Sequence, residues 1–167
     1  MSESHRVFVA AGSNVKPRGH LRRALAALRT RYPDLQVSPA YSSAAVGFEG
    51  DDFINLVAGF TTGEPLPAVL ENLWAVERLC GRPRTALKWA PRTMDLDILL
   101  YGDEVGSFPG AVLPRPDLLR RAYMLGPLAD LAPAVVHPTA HRTIGELWRE
   151  FDVTGAELRR VSLDDED

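Results

Sequence analysis

The order of apolar patterns along the 167 residues predicts an α+β fold built on an antiparallel sheet. Strand-like apolar runs fall at residues 6–11, 35–43, 53–61 and 94–100, and a helical spacing of leucines follows the first and the third. The last run carries the chemistry, because Asp95 and Asp97 interrupt it two residues apart.

The first strand, Arg-Val-Phe-Val-Ala-Ala, should end at Gly12-Ser13-Asn14, residues suited to turns and helix caps. Leu21, Ala24, Leu25 and Leu28 then recur at helical spacing against Arg22, Arg23 and Arg29, and Pro33-Asp34 stops that helix. Residues 35–43 read as a second strand and 53–61 as a third. They are joined by residues 44–52, a connection long enough to reach over a binding site. Pro65 and Pro67 open a second helix carrying Leu66, Val69, Leu70, Leu73 and Val76, with Glu77 at the edge of the same apolar row. Periodicity does not decide whether Glu77 is a boundary residue or faces a ligand. Its neighbours Arg82 and Arg84 favour the ligand.

In the fourth strand Met94, Leu96, Ile98 and Leu100 should form a core face, with Asp95 and Asp97 on the opposite one. The order through Gly102 is βαββαβ, the split βαβ, ferredoxin-like arrangement, with both helices packed on one face and the other free for ligands. Residues 103–151 should add a hairpin or loops and short helices. The acidic end, Asp164 to Asp167, should fray. A single domain over residues 1–167, with its core at about 6–151, fits the length and the 46% hydrophobic content.

Two carboxylates about 6 Å apart repel by about 3 kcal/mol at an effective dielectric of 20, so the pair needs cations. An isolated Asp-x-Asp is ordinarily a solvated strand face. Here Arg78, Arg82, Arg84, Lys88 and Arg92 surround it. Arginine forks grip phosphate oxygens, and Mg2+ held by carboxylates bridges the same oxygens, so the combination suits a polyphosphate.

The formal charge of −3 argues against broad nucleic-acid or membrane binding. A lone Cys80 excludes internal disulfides and cysteine-based zinc sites, and is expected to pack. The start of the chain lacks an apolar targeting core and no run approaches a membrane span, so a cytoplasmic monomer is expected. The four histidines read as structural or exposed. No P-loop or Rossmann glycine pattern occurs.

Several motifs stand in order: Ala11-Gly12-Ser13-Asn14, Phe53-x-Asn55, Glu77 with Gly81-Arg82, Pro91-Arg92-Thr93-x-Asp95-x-Asp97, and Arg121-x-Tyr123-x-Leu125 before Pro127-Leu128. Together they resemble the 6-hydroxymethyl-7,8-dihydropterin pyrophosphokinase family of folate biosynthesis, from about Val7 to Pro138. The resemblance implies a ferredoxin-like fold and transfer of the β,γ-diphosphate of ATP to the pterin hydroxymethyl group, releasing AMP. It implies two Mg2+ ions on Asp95 and Asp97, with Arg82 and Arg92 as further catalytic residues. ATP would be bound by Glu77, Arg84, Arg92, Ile98, Arg115 and Arg121. The pterin would lie between Phe53 and Tyr123, with Asn55 on its polar edge, Ser43 and Val46 beside it and Trp89 closing over the site. Trp74 stands where many relatives carry glutamine, and Arg115 where histidine is common. A noncatalytic nucleotide- or pterin-sensing module and a metal-dependent nucleotide hydrolase are the alternatives.

Overall fold

The computed structural model of the chain describes residues 4–43, 52–81 and 93–167. In chain order the elements are β1 (His5–Ser13), α1 (Pro17–Arg31), β2 (Gln36–Val37), β3 (Ala40–Ser43), β4 (Phe53–Thr62), α2 (Leu66–Leu79) and β5 (Asp95–Tyr101). After these come the β6 (Gly106–Phe108) and β7 (Ala111–Leu113) hairpin, a 3-10 turn at Pro116–Leu119, α3 (Ala122–Leu131), α4 (Ile144–Arg149) and β8 (Arg159–Val161). The main sheet runs β5-β1-β4-β3-β8, with β2 also on β4, and the pairings of β1, β4 and β5 are antiparallel. This is the predicted ferredoxin-like arrangement, with the second predicted strand split into β2 and β3 and with β8 added at one edge.

The predicted helices α1 and α2 share one face. Leu21, Ala24, Leu25 and Leu28 of α1 and Val69, Leu70, Leu73 and Val76 of α2 pack with Val7, Val9, Leu56, Ala58, Met94, Leu96 and Ile98 of the sheet. The opposite face is only partly open. Residues beyond 103, expected to give short helices, lay Met124, Leu125 and Leu128 of α3 over Phe8, Ala10, Val57, Leu99 and Leu100.

Four local expectations are corrected. The strand β1 continues through Gly12 and Ser13, and helix α1 is capped by Lys16 in the left-handed region (φ 41°), with Pro17 opening the helix. Residues 35–43 form two strands. Gln36 pairs with Gly59 and Val37 with Ala58, but Tyr41 pairs with Asn55, so the register slips by one residue across Ser38-Pro39. Pro39 has no N–H to give a ladder, and Ser38 fills the gap: its N–H donates to Val57 O and its Oγ accepts from Val57 N. The slip also turns Tyr41 and Ser43 onto the α3 face, opposite Asn55 and Phe53.

In β5 a second slip follows. Ile98 pairs with Val9 and Leu100 with Phe8, leaving Leu99 extra. Beyond that bulge the faces exchange, so Leu100 joins the α3 side and Tyr101 takes the core position that simple alternation assigns to Leu100. The acidic end does not fray. Leu163 packs against the core and the Asp167 carboxylate accepts N–H groups from Arg18 and Gly19 at 2.7 and 2.9 Å.

Candidate active site

Strand register brings the candidate residues together. Gly12 on β1 pairs with Asn55 on β4 and with Asp95 on β5, so the three form a row across the sheet on the α3 face. One step along, Val57, Ala10 and Asp97 form the next row. Neighbouring strands lie about 4.8 Å apart, so Asn55 and Asp95 stand about 10 Å apart across β1. The central strand offers Gly12 and Ala10 there, so no side chain larger than a methyl on β1 stands between the amide and the carboxylates.

Asn55 is buried (7% exposed) and its Nδ2 donates to Ser43 Oγ at 3.1 Å, a bond that the Ser38-Pro39 slip makes possible. Phe53 shares its face, two residues earlier on β4. Tyr123, in the first turn of α3, is half-buried against the second core. Burial pushes its phenol pKa up; the guanidinium of Arg121 opposes this, while Asp117, Asp97 and Asp95 add to it. Tyr123 therefore lies within the field of both aspartates. Arg121 caps α3 and is exposed.

Asp95, Leu96, Asp97 and Ile98 also line an open cleft of about 180 Å³ that wraps round the outer edge of β5, with Trp74, Glu77, Gly110 and Arg115 on its other walls. Ile98 reaches it from the core side. Glu77 is placed by a backbone bond: the N–H of Leu96, between the two aspartates, donates to Glu77 Oε2 at 2.8 Å. That bond satisfies an outward donor of the edge strand β5, so Glu77 fixes the segment that carries the carboxylates, a role invisible to periodicity. Arg115 follows the hairpin, its N–H donating to Leu99 O. Its guanidinium stands 3.5 Å from Asp97 and 3.8 Å from Asp117, and its buried Nε has no acceptor among the described residues.

Arg82, Arg84, Trp89, Arg92 and Val46 lie outside the described residues. Gly12, Ala10 and Gly110 are the contributors that sequence reasoning missed. Their signal was small size on a strand or turn, and Gly12 reads as punctuation until its register is known. Gly110 turns the β6–β7 hairpin at φ 90° after Pro109, and a Cβ there would lie 3.2 Å from Leu70 and Trp74. His137, expected to be structural, is buried and accepts N–H groups from Thr139 and Ala140. Burial also raises the pKa of the Cys80 thiol, in keeping with packing.

Comparison with known proteins decides the family. The sequence profile of the 7,8-dihydro-6-hydroxymethylpterin-pyrophosphokinase (HPPK) family matches residues 8–133. The chain belongs to the HPPK family. A relative named 2-amino-4-hydroxy-6-hydroxymethyldihydropteridine pyrophosphokinase from Pseudomonas aeruginosa is 42% identical over 157 residues, covering 91% of this chain and 95% of the relative. One of the same name from Aquifex aeolicus is 34% identical over 86% of this chain and 91% of its own. Among solved structures, Plasmodium falciparum HPPK-DHPS superposes with a TM-score of 0.67 at 14% identity. That match covers 92% of this chain and 42% of the longer one, and it supports the HPPK fold.

Proposed function

We propose that the β5 cleft and the row Asn55–Gly12–Asp95 form one two-substrate site, with the phosphates of ATP over Asp95, Asp97 and Arg115 and the pterin beside Asn55. As a member of the HPPK family, the chain is an ATP-dependent pyrophosphokinase of folate biosynthesis. It moves the terminal diphosphate of ATP to the hydroxymethyl group of 6-hydroxymethyl-7,8-dihydropterin. The observation that carries the placement is the register, which sets a heterocycle-edge amide and a metal-type carboxylate on one face with a glycine between them.

The donor set fits magnesium. Asp95 and Asp97 offer hard oxygens on one face, and among the described residues no group of three His, Cys, Asp or Glu side chains could hold an ion alone. Mg2+ characteristically takes one or two carboxylates and completes its shell with water and substrate phosphates. Asp95 and Asp97 would hold it, as two ions in the family pattern. When bound, it would neutralise phosphate oxygens and orient the transferred group.

The chain's own residues bind and position. Arg115, whose buried Nε has no acceptor among the described residues and which has a carboxylate partner to release, is suited to take a phosphate oxygen as the nucleotide arrives. Asn55 offers both a carbonyl and an amide to the pterin edge, and Phe53 and Tyr123 supply flat apolar area. Tyr123 keeps its phenol proton at neutral pH, since burial raises the pKa. Arg82, Arg84, Arg92 and Arg121 take the phosphate-gripping roles and Trp89 and Val46 the covering ones by family resemblance. Charge spreads over the transferred group in such reactions, so positioning and electrostatics carry the rate and no covalent intermediate is required. We take the protein as a cytoplasmic monomer; among the described residues no helix is long and apolar enough to cross a membrane.

The test is AMP release from ATP and Mg2+ with and without 6-hydroxymethyl-7,8-dihydropterin, with Asp97→Ala beside the parent protein. Pterin-dependent AMP should appear and should vanish in the variant, whose circular dichroism stays unchanged. ATP breakdown indifferent to pterin would point to a hydrolase, and ligand binding without AMP to a sensing module. Near-normal turnover by Asp97→Ala would remove Asp97 from the metal site.

A further inference from the structure

Gly12 sits at the crossing of two pairings, opposite Asn55 on one side and Asp95 on the other, in the central strand β1. A Cβ built on it would lie 2.4 Å from Asn55 Oδ1, while the next contacts, Asn55 Cγ at 3.5 Å and Ile54 O at 3.8 Å, are ordinary. Its backbone is not in the left-handed region, so the strand itself does not require glycine. Among the described residues, the group that excludes a side chain at this position is therefore the end of the Asn55 amide. That amide lies over β1 because Gly12 has no side chain there, and Ser43 Oγ holds it from the opposite side through Nδ2. Two restraints, a hydroxyl on β3 and a missing methyl on β1, fix one side chain.

We propose that Gly12 is a positioning and specificity residue for the pterin: its bare Cα is the floor on which the Asn55 amide rests, and it sets the pose in which that amide meets the ring edge. The inference rests on the reading of Asn55 as the pterin contact. A methyl at Gly12 displaces the amide from its bond to Ser43. Among the described residues the nearest atoms to that methyl belong to Asn55 and Ile54, not to Glu77 or Arg115, which wall the phosphate end of the β5 cleft. The nucleotide half of the site should stay intact.

The experiment compares Gly12→Ala, Asn55→Ala and the double variant for binding of 6-hydroxymethylpterin and of a nonhydrolysable ATP analogue with Mg2+, with steady-state kinetics and thermal midpoints. Gly12→Ala should weaken pterin binding by about tenfold or more, the size of a lost hydrogen bond, and raise the pterin KM correspondingly. The nucleotide Kd should stay within about twofold. In the Asn55→Ala background the same methyl meets no amide, so its added loss should fall well below the loss seen alone, a non-additivity that direct contact predicts.

Unchanged pterin binding in Gly12→Ala would overturn the proposal. Equal losses of pterin and nucleotide together with a lowered midpoint would overturn it as well, since they would mark a structural glycine. Additive losses in the double variant would show that the amide is not what the methyl disturbs. If Asn55→Ala binds pterin as the parent does, the pterin reading fails and Gly12 is not the cause. Should Gly12→Ala not fold, the double variant still decides: relief of the clash predicts that it folds as Asn55→Ala does, and failure to fold would overturn the proposal.

Discussion

Asp97 has a cation beside it before any substrate arrives, because the guanidinium of Arg115 stands 3.5 Å away and reaches Asp117 with its other nitrogen at 3.8 Å. Both partners of the Asp97 pair are about a quarter to a third exposed, so the pair belongs to the weak, solvent-screened kind. Its interest is competition. Removing one positive charge about 4 Å from a carboxylate changes the local energy by about 1 kcal/mol in water and more where water is excluded, and a divalent ion has twice the interaction energy of a monovalent one in the same field. Arg115→Gln should therefore tighten Mn2+ binding to the nucleotide-free protein several-fold and weaken binding of an ATP analogue, because a phosphate-facing fork is lost. Parallel titrations of metal and nucleotide check this, and a variant that weakens both would show that Arg115 organises the carboxylates instead of competing for them. The Asp-x-Asp pair was legible in the sequence because a period of two fixes the face whatever surrounds it. Glu77 was ambiguous for the converse reason: its partner is a backbone N–H on another element, and no periodicity encodes that.

At the scale of elements, helix α4 carries its own start signal. Thr143 Oγ1 accepts from Glu146 N, and the Glu146 carboxylate accepts from Thr143 N and Oγ1, a complete capping box around the buried Ile144. Thr143→Ala should cost about 1 kcal/mol, seen as a lower midpoint in urea at unchanged slope. A slope change would mean that the helix unfolds apart from the body. Signals of this local kind made α1, α2, β1, β4 and β5 legible, since each combines a long apolar pattern with a breaker. The two misread strand registers have one physical origin. At Ser38-Pro39 and at Leu99 a single residue is added without a partner, and alternation read along one strand does not register an insertion that only the neighbouring strand defines. The first slip aims Ser43 at Asn55 and the second confines the open carboxylate face to the first half of β5, so both bear on the site. The edge strand β8, Arg159-Arg160-Val161, has no apolar alternation to reveal it; its pairing with Ala40, Tyr41 and Ser42 is a tertiary fact.

At the scale of the molecule, the end of the chain closes onto its beginning. Helix α1 opens with Lys16 and Pro17 and has no side-chain cap of its own, so its first N–H groups need an acceptor from elsewhere. Asp167 supplies it. Its carboxylate takes the N–H groups of Arg18 and Gly19, the second and third helical residues, which is what a local capping residue would do from 150 residues nearer. Arg18 Nε donates to Ser162 O at 2.8 Å and Arg22 to Leu163 O, strapping the intervening segment along the helix. Partial burial pushes the Asp167 carboxyl pKa up, but the N–H groups of Gly19 and Arg18 and the charges of Arg18 and Arg22 outweigh this and hold it below the ordinary aspartate value. A carboxyl depressed in the folded state contributes stability that is fully present above its unfolded pKa and is lost as pH falls through the folded one. Asp167→Ala should then lower the thermal midpoint near pH 7 by a few degrees, from a cap worth about 1 kcal/mol in a domain of this size. The gap between variant and parent should narrow as pH falls below about 4. Deleting residues 162–167 should cost more, because the Leu163 contact and both arginine straps go with the cap. Equal midpoints for parent and truncated chain would mean that the tail adds nothing to α1 in solution, and the helix would then owe its start to Pro17 and to its packing against the sheet.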